Sequence, residues 1–235
     1  MGTSQYATLL FDCDGVILDS NKVKTAAFFE AALPYGELAA AALVDYHQKH
    51  GGVSRYRKFE YFLEHIVGIE GERYPIEQLL ESFAREVRKG LLTCRVNPAL
   101  EPLRAATPNS RWMVVSGGDQ DELRDLFSSR KLAHLFDGGI FGSPDSKETI
   151  IARELSNRNI ILPALFIGDS KYDYEAALFA GFDFVFVSEW SEFADWKAYQ
   201  QIHMFPSVSD LYGLLTPGAS ADSEQIPRSQ AGSYS

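Results

Sequence analysis

An apolar run that stops at two closely spaced carboxylates is the feature that most constrains this chain. The run ends at Phe11 and is followed directly by Asp12, Cys13, Asp14 and Gly15. Such a run, bounded by polar residues and glycine, is typical of a buried strand in a parallel sheet. Residues two apart on an extended chain point the same way, so the two carboxylates need a neutralising cation or a shared proton.

Two further apolar runs end in polar residues in the same manner. Residues 111–115 are followed by Ser116, and residues 164–167 are followed by a glycine, Asp169 and Asp173. In open α/β sheets, ligands bind outside the carboxyl ends of the strands. The pattern therefore predicts that three strands deliver these side chains to one edge of a sheet.

Each of these segments alone has an ordinary explanation. A lone Asp-x-Asp-Gly is often a turn or a calcium-binding loop, and Ser116 could cap a helix. Lys147, which follows another short apolar stretch, could be a solvated surface lysine, while Asp169 and Asp173 could line a helix N-terminus. Their order is more specific, because each follows an apolar run and together they supply acids, a hydroxyl and one cation.

In this order the segments resemble the four motifs of the haloacid dehalogenase superfamily. Asp12 to Gly15 resembles the first motif, Ser116 the second, Lys147 the third, and Asp169 with Asp173 the fourth. The resemblance covers residues 5–20 and 95–217 and extends to the phosphoglycolate phosphatase and β-phosphoglucomutase branch. It implies an α/β fold: a Rossmann-like, doubly wound parallel sheet core with an inserted all-helical cap domain.

The resemblance also implies phosphoryl transfer through a covalent aspartyl-phosphate on Asp12. Asp14 would be the general acid and base, while Ser116 and the Gly117 backbone N–H would bind the phosphoryl oxygens. Lys147 would supply positive charge where negative charge is spread in the transition state. Dehalogenases of this superfamily lack an acid at the Asp14 position, so its presence favours phosphoryl transfer.

Mg²⁺ is the implied cofactor, because it prefers oxygen ligands and binds through one or two carboxylates together with substrate phosphate. By resemblance, its ligands would be the Asp12 side chain, the Asp14 carbonyl and Asp169. Asp173 would be a further ligand or a partner of one. Gly15 would let the backbone turn sharply and approach the substrate closely.

Residues 21–94 have a different character and predict the helical cap. Apolar residues recur at helical spacing over 25–33, 37–46, 59–66 and 76–87. By resemblance, this cap closes over the site and contacts the leaving group, with hinges near 20–22 and 94–97.

One cap segment joins a glycine pair to three cations. Arg55, Arg57 and Lys58 lie within four residues of each other. They are either the solvated start of a helix, or Arg55 or Arg57 reaches the site and binds an anionic or hydroxylated substrate, to which the guanidinium is suited.

The favoured function is a Mg²⁺-dependent phosphatase acting on a small phosphorylated metabolite, either a sugar phosphate or a phosphoglycolate-like acid. A phosphosugar mutase is the alternative. The mutase branch commonly has a histidine about five residues past the Asp-Ser pair, and residues 21–24 contain none, which weakens but does not exclude that alternative. A third alternative is a non-catalytic binder of a phosphometabolite or protein, against which the intact motifs argue.

The composition of the chain limits the kinds of partner that we expect it to bind. A net charge of −10 argues against a nucleic-acid surface. Two cysteines, Cys13 and Cys94, do not make a disulfide framework. With no signal-peptide pattern and no apolar run of roughly 20 residues, we expect a cytoplasmic protein without a membrane partner, as a monomer or weak dimer. The Ser-, Gly- and Gln-rich residues 218–235 predict a disordered tail.

Overall fold

The computed structural model describes residues 2–68 and 76–215, which contain a six-stranded parallel sheet with the order β3-β2-β1-β4-β5-β6. The strands are β1 (Thr8–Phe11), β2 (Arg111–Asp119), β3 (Gly139–Ser143), β4 (Ala164–Gly168), β5 (Asp183–Val187) and β6 (Ser207–Val208). The predicted parallel α/β core is therefore confirmed. The pattern of 184–187 suggested the last strand, and β6 escaped prediction because two residues are too short to show a strand periodicity.

Helices cover both faces of this sheet, and a separate group precedes β2 in the chain. Between β1 and β2 lie α1 (Asn21–Ala32), α2 (Glu37–Lys49), α3 (Arg55–Tyr61), a π-helical segment (Phe62–Val67), α4 (Ile76–Thr93) and α5 (Leu100–Ala106). The remaining α-helices of the described residues are α6 (Gln120–Ser129), α7 (Lys147–Ser156), α8 (Lys171–Ala180) and α9 (Trp196–His203). The predicted helix over 59–66 is thus a continuation of α3 that changes to π geometry.

The alternation of side chains along β1 explains why helices are needed on both faces. Leu9 and Phe11 point into one apolar cluster, which α5 and α6 complete, while Leu10 points into a second cluster that α7 and α8 complete. All three side chains are fully buried. A strand buried on both faces reads as a continuous apolar run, which is what the sequence shows.

Helices α1 to α4 enclose an apolar cluster of their own. The Phe28 ring lies 5.3 Å from the Phe59 ring and 4.4 Å from the Phe83 ring, measured between centroids. These helices occupy the segment expected to form the cap, and the assignment of residues 21–94 as a cap domain stays a proposal. The predicted tail at 218–235 lies outside the described residues.

The sheet order places β1 at the point where the chain reverses direction across the sheet. Phe11 of β1 is in register with Val114 of β2 on one side and with Ile167 of β4 on the other. Crevices that bind ligands form at such reversal points, outside the carboxyl ends of the strands. Among the described residues, none of the helices is long and apolar enough to traverse a bilayer.

Candidate active site

A buried lysine joins two of the predicted acids at the carboxyl end of β1. The Lys147 Nζ donates to Asp12 Oδ1 at 2.7 Å and also to Asp173 Oδ1. Lys147 is the first residue of α7 and is 1% exposed, and Asp12 and Asp173 are buried as well. Burial would lower the pKa of Lys147, but the charges of the two carboxylates raise it above its ordinary value. The lysine is therefore a permanent cation.

Local hydrogen bonds at the start of α8 hold Asp173 in place. Ser170 is the N-cap residue, and its Oγ accepts from the Asp173 N–H at 3.2 Å. Asp173 Oδ2 in turn accepts from the Ser170 N–H at 3.0 Å and from the Asp169 N–H at 3.2 Å. This reciprocal capping box satisfies backbone donors that the first turn of a helix leaves free. It also points the other oxygen of Asp173 at Lys147.

Three carboxylates form a group that fits a metal ion. Asp12, Asp169 and Asp173 each offer an oxygen, and these oxygens lie within 4.8 Å of one another. Burial, together with the charges of Asp173 and Asp14, raises the pKa of Asp12 to about 7 despite Lys147. Burial and the Asp12 charge also raise the pKa of Asp169 well above its ordinary value. With all three acids ionised, the group would carry more negative charge than Lys147 alone neutralises, and its all-oxygen donors suit a hard divalent cation.

Asp14 is held apart from that group by residues at the start of the cap. Its Oδ1 accepts from Ser20 Oγ at 2.6 Å, and its Oδ2 is paired with the Lys24 ammonium. Burial would raise the pKa of Asp14, but the Lys24 charge and the two hydrogen bonds keep it below the ordinary value. The Ser20 hydroxyl therefore binds Asp14. Ser20 directly precedes α1, but its side chain does not cap that helix.

The predicted phosphate-binding residues lie at the end of β2. Ser116 is buried, and its Oγ accepts from the Gly118 N–H at 3.1 Å, while its own proton has no acceptor among the described residues. Gly117 and Gly118 line the same cavity as Asp12 and Asp14. The structure therefore brings the second motif beside the first.

Gly15 has a different structural role from the one that its motif suggested. Its φ of +77° is the left-handed conformation that favours glycine. A Cβ at this position would overlap Asp169 Oδ2 and lie 2.6 Å from Asn21 Nδ2. Asn21 Nδ2 donates to that same Asp169 oxygen at 2.8 Å. Gly15 therefore makes room for the Asp169 carboxylate, and it is not among the residues that line the cavity.

The two cap arginines occupy different environments. Arg55 is buried, lines the cavity, and pairs with Glu122 of α6 while lying 5.1 Å from the Phe83 ring centroid. Arg57 is exposed and is not among the cavity-lining residues. Arg55 therefore links the cap to the core through Glu122, and of the two only Arg55 is placed where it could reach a bound molecule.

The cap also meets the core through a close approach of two glycines. A Cβ on Gly117 would overlap the carbonyl oxygen of Gly52 and lie 2.9 Å from its carbonyl carbon. Nearby, Tyr56 Oη donates to Asp119 Oδ2 at 2.7 Å. The segment before α3 is therefore packed directly on the strand end that carries Ser116, and that packing requires glycine at position 117.

Gly117→Ala is expected to lower kcat/KM for phosphate-ester hydrolysis by about 100-fold, because the added methyl forces the cap backbone away from the site and small misplacements are costly. Steady-state kinetics with the purified variant would measure this. Gly118→Ala is the matched control, since the atoms nearest to its Cβ belong to the Leu123 side chain, at 3.3 Å, and not to the backbone. A smaller loss in the Gly117 variant than in the Gly118 variant would contradict this account of the packing.

Sequence patterns missed several polar residues that the structure brings to the cavity. Position 24 stood out only for lacking a histidine, yet Lys24 is the partner of Asp14. Lys58 and His47 face each other in the cap wall, with Lys58 Nζ 2.7 Å from His47 Nδ1. Ser20 and Lys24 are one helical turn apart, and this spacing could have indicated that Lys24 lies beside the same site as Ser20. Nothing in the sequence linked the second pair, which belongs to separate helices.

Comparison with known families agrees with this geometry. Residues 9–187 match the model of the haloacid dehalogenase-like hydrolases. The chain belongs to that family. The match spans all four motifs and the intervening helices, so the predicted superfamily membership is confirmed. A comparison with curated proteins found no matching sequence.

Solved structures of a hydrolase and of two predicted phosphatases share the fold. A hydrolase from Pseudomonas syringae superposes with a TM-score of 0.70 at 19% identity, covering 89% of this chain and 96% of that one. A predicted phosphatase from Clostridium acetobutylicum gives 0.63 at 18% identity, covering 89% and 90%. A predicted phosphoglycolate phosphatase from Haemophilus somnus 129pt gives 0.61 at 19% identity, covering 79% and 87%.

Proposed function

We propose that this hydrolase is a Mg²⁺-dependent phosphatase that cleaves a small phosphorylated metabolite through an aspartyl-phosphate on Asp12. The observation that carries the proposal is the placement of Asp12. Its Oδ1 is fixed by Lys147, and it shares a cavity with Asp14, a second carboxylate bound to different partners. Burial and neighbouring acids raise the pKa of Asp12, whereas Lys24 keeps that of Asp14 low, so a nucleophilic Asp12 requires the positive charge of a bound metal ion.

In the first step, an Asp12 carboxylate oxygen attacks the phosphorus and forms the aspartyl-phosphate while the bond to the leaving oxygen breaks. A protonated Asp14 gives its proton to that oxygen, so the alcohol leaves neutral. Ser116 Oγ–H and the Gly117 N–H would hold the phosphoryl oxygens, and Lys147 would keep Asp12 oriented and offset the developing charge.

In the second step, water attacks the phosphorus and gives a proton to the Asp14 carboxylate, which releases inorganic phosphate and regenerates Asp12. The pair with Lys24 and the bond from Ser20 hold Asp14 in this carboxylate form. The first step needs the protonated form. Opening of the Lys24 pair is therefore part of the proposed cycle.

Mg²⁺ fits the group formed by Asp12, Asp169 and Asp173, whose oxygens lie within 4.8 Å of one another. The Asp12 and Asp169 carboxylates, with the Asp14 carbonyl, would hold the ion, and Asp173 would hold Lys147 and the start of α8. When bound, Mg²⁺ supplies positive charge that lets an anionic nucleophile approach an anionic phosphate.

Support for a phosphorylated metabolite comes from the cavity and from the family. The cavity lies between cap and core and is lined by apolar cap residues as well as the catalytic acids. Such a cavity suits a small molecule more than a protein surface. Similar folds include a predicted phosphatase and a predicted phosphoglycolate phosphatase.

Phosphate release from a panel of sugar phosphates, phosphoglycolate and nucleoside monophosphates tests this proposal. Release is expected from one or a few compounds, only with Mg²⁺, and loss on chelation should be reversed by Mg²⁺. Analysis of the organic product in the same assay separates the mutase alternative, since a mutase would return an isomerised sugar phosphate without free phosphate. No release from any compound by the folded protein would overturn the proposal.

A further inference from the structure

The cap wall of the cavity contains a buried lysine that forms no salt bridge with a carboxylate of the described residues. Lys58 of α3 is 2% exposed and lines the cavity that contains Asp12 and Asp14. Its Nζ lies 2.7 Å from His47 Nδ1 and 5.3 Å from the centroid of the Phe28 ring. Within 4.0 Å of this Nζ there is no carboxylate from residues 2–68 or 76–215.

The other buried cations of the described residues are paired. Arg55 is matched with Glu122, and Lys147 is matched with both Asp12 and Asp173. A buried charge without a partner is costly, so such an arrangement persists in proteins mainly where a ligand or a function needs it.

The surroundings of Lys58 offer no substitute for an anion. Asp14, Glu192 and Asp12 attract Lys58 through space, but Asp14 is paired with Lys24, Asp12 with Lys147, and Glu192 Oε2 accepts from Thr25 Oγ1 at 2.6 Å. Burial and the Lys24 charge lower the pKa of Lys58 to about 7. Burial and the Lys58 charge hold the pKa of His47 well below its ordinary value, so the imidazole is neutral. The pair can therefore accept a negative charge without displacing an existing ion pair.

We propose that Lys58, supported by His47, forms a subsite for a second anionic group on the leaving alcohol of the substrate. The preferred substrates are then phosphate monoesters that also carry a carboxylate or a second phosphate. This inference rests on the proposed phosphatase function and specifies its substrate class. It assigns recognition to Lys58 and not to Arg55, because Glu122 neutralises the guanidinium.

The geometry explains how such a subsite would work. The reacting phosphate lies at Asp12 in the core, and the leaving alcohol extends toward the cap, where Lys58 is part of the wall. The apolar surfaces of Phe28, Phe83 and Val87 surround the same space. An ammonium in a water-poor wall forms a strong, charge-assisted hydrogen bond with an anion, and it discriminates against a neutral alcohol in the same place.

Matched pairs of esters test the subsite directly. 3-Phosphoglycerate and glycerol 3-phosphate differ only in a carboxylate against a hydroxymethyl group, and fructose 1,6-bisphosphate and fructose 6-phosphate differ in a second phosphate. The wild type is expected to have the higher kcat/KM for the anionic member of at least one pair. Which pair shows the preference distinguishes a carboxylate from a second phosphate.

Lys58→Met is expected to remove that preference. Its kcat/KM for the favoured anionic ester should fall roughly 10- to 100-fold, the range for a lost hydrogen bond to a charged group. The value for the neutral partner should change by less than about 3-fold on the same reasoning. Lys58→Arg should retain part of the preference. Lys22→Met, at an exposed lysine of α1 outside the cavity lining, is the control and should behave as wild type.

Calorimetric binding of the same pairs separates this inference from the proposed function. If no ester releases phosphate, the phosphatase proposal fails, yet tighter binding of an anionic member that is lost in Lys58→Met still supports the subsite. Equal wild-type affinities within both pairs would overturn the inference. So would a Lys58→Met variant that weakens both members of a pair equally.

Discussion

Asp12→Asn is expected to abolish phosphate release while leaving the fold intact. The amide is nearly the same size as the carboxylate but is a poor nucleophile, so kcat should fall by about 10⁴-fold or more, as for other residues that act as a covalent nucleophile. The fold should survive because Lys147 keeps its second partner, Asp173, and the strand beneath remains buried.

Phosphate release at saturating substrate, together with thermal unfolding and far-UV circular dichroism, checks both parts of this expectation. Asp45→Asn is the matched control, because Asp45 is an exposed acid of α2 that does not line the cavity. Its activity should equal that of the wild type. An Asp12→Asn protein that keeps more than about 1% of wild-type kcat would rule out the nucleophile assignment.

Lys147→Met should damage both stability and activity. The side chain is fully buried between Asp12 and Asp173, and its removal leaves two acids without their cation. Breaking a buried ion pair from one side typically costs about 3–5 kcal/mol, so the free energy of unfolding should drop by that order. Activity should fall at least about 100-fold, because a positioned charge at the reacting group is lost.

The response of the same variant to Mg²⁺ tests the metal site without an activity readout. With Lys147 gone, the carboxylate group formed by Asp12, Asp169 and Asp173 attracts a divalent cation more strongly. The Mg²⁺-induced rise in Tm should therefore be larger in Lys147→Met than in the wild type, since a ligand that binds only the folded state stabilises it. Lys22→Met should show the wild-type rise. An equal rise in all three proteins would place the ion elsewhere.

Much of the core could be predicted from the sequence because its signals are local. Continuous apolar runs mark strands buried on both faces: β4 and β5 lie within one residue of the runs at 164–167 and 184–187, and β1 occupies the last four residues of the run at 6–11. The position of the motif residues followed from one rule, that parallel strands end at the same edge of a sheet. Gly181 ends α8 in the left-handed conformation, the common place for a glycine at a helix end.

Helix ends and the cap were less predictable, because side-chain contacts across the fold decided them. Ser20 directly precedes α1, a position where serine commonly caps a helix, but its hydroxyl binds Asp14. Arg55 was a candidate for substrate binding in the cap, and the structure pairs it with Glu122, which is 67 residues away in the chain. The charged residues of one segment do not reveal which distant residues they will contact in the folded protein.

Strand periodicity and motif order are properties of short segments, so they sufficed to predict the sheet, the edge at which the acids gather, and the family. The electrostatic state of each group depends instead on contacts between distant residues. Asp14 is a carboxylate because Lys24 reaches it, and Asp12 has a raised pKa because it is buried near other acids. Lys58 contacts His47, and no carboxylate of the described residues forms a salt bridge with it. Burial and through-space charge set these properties, and both depend on the whole fold.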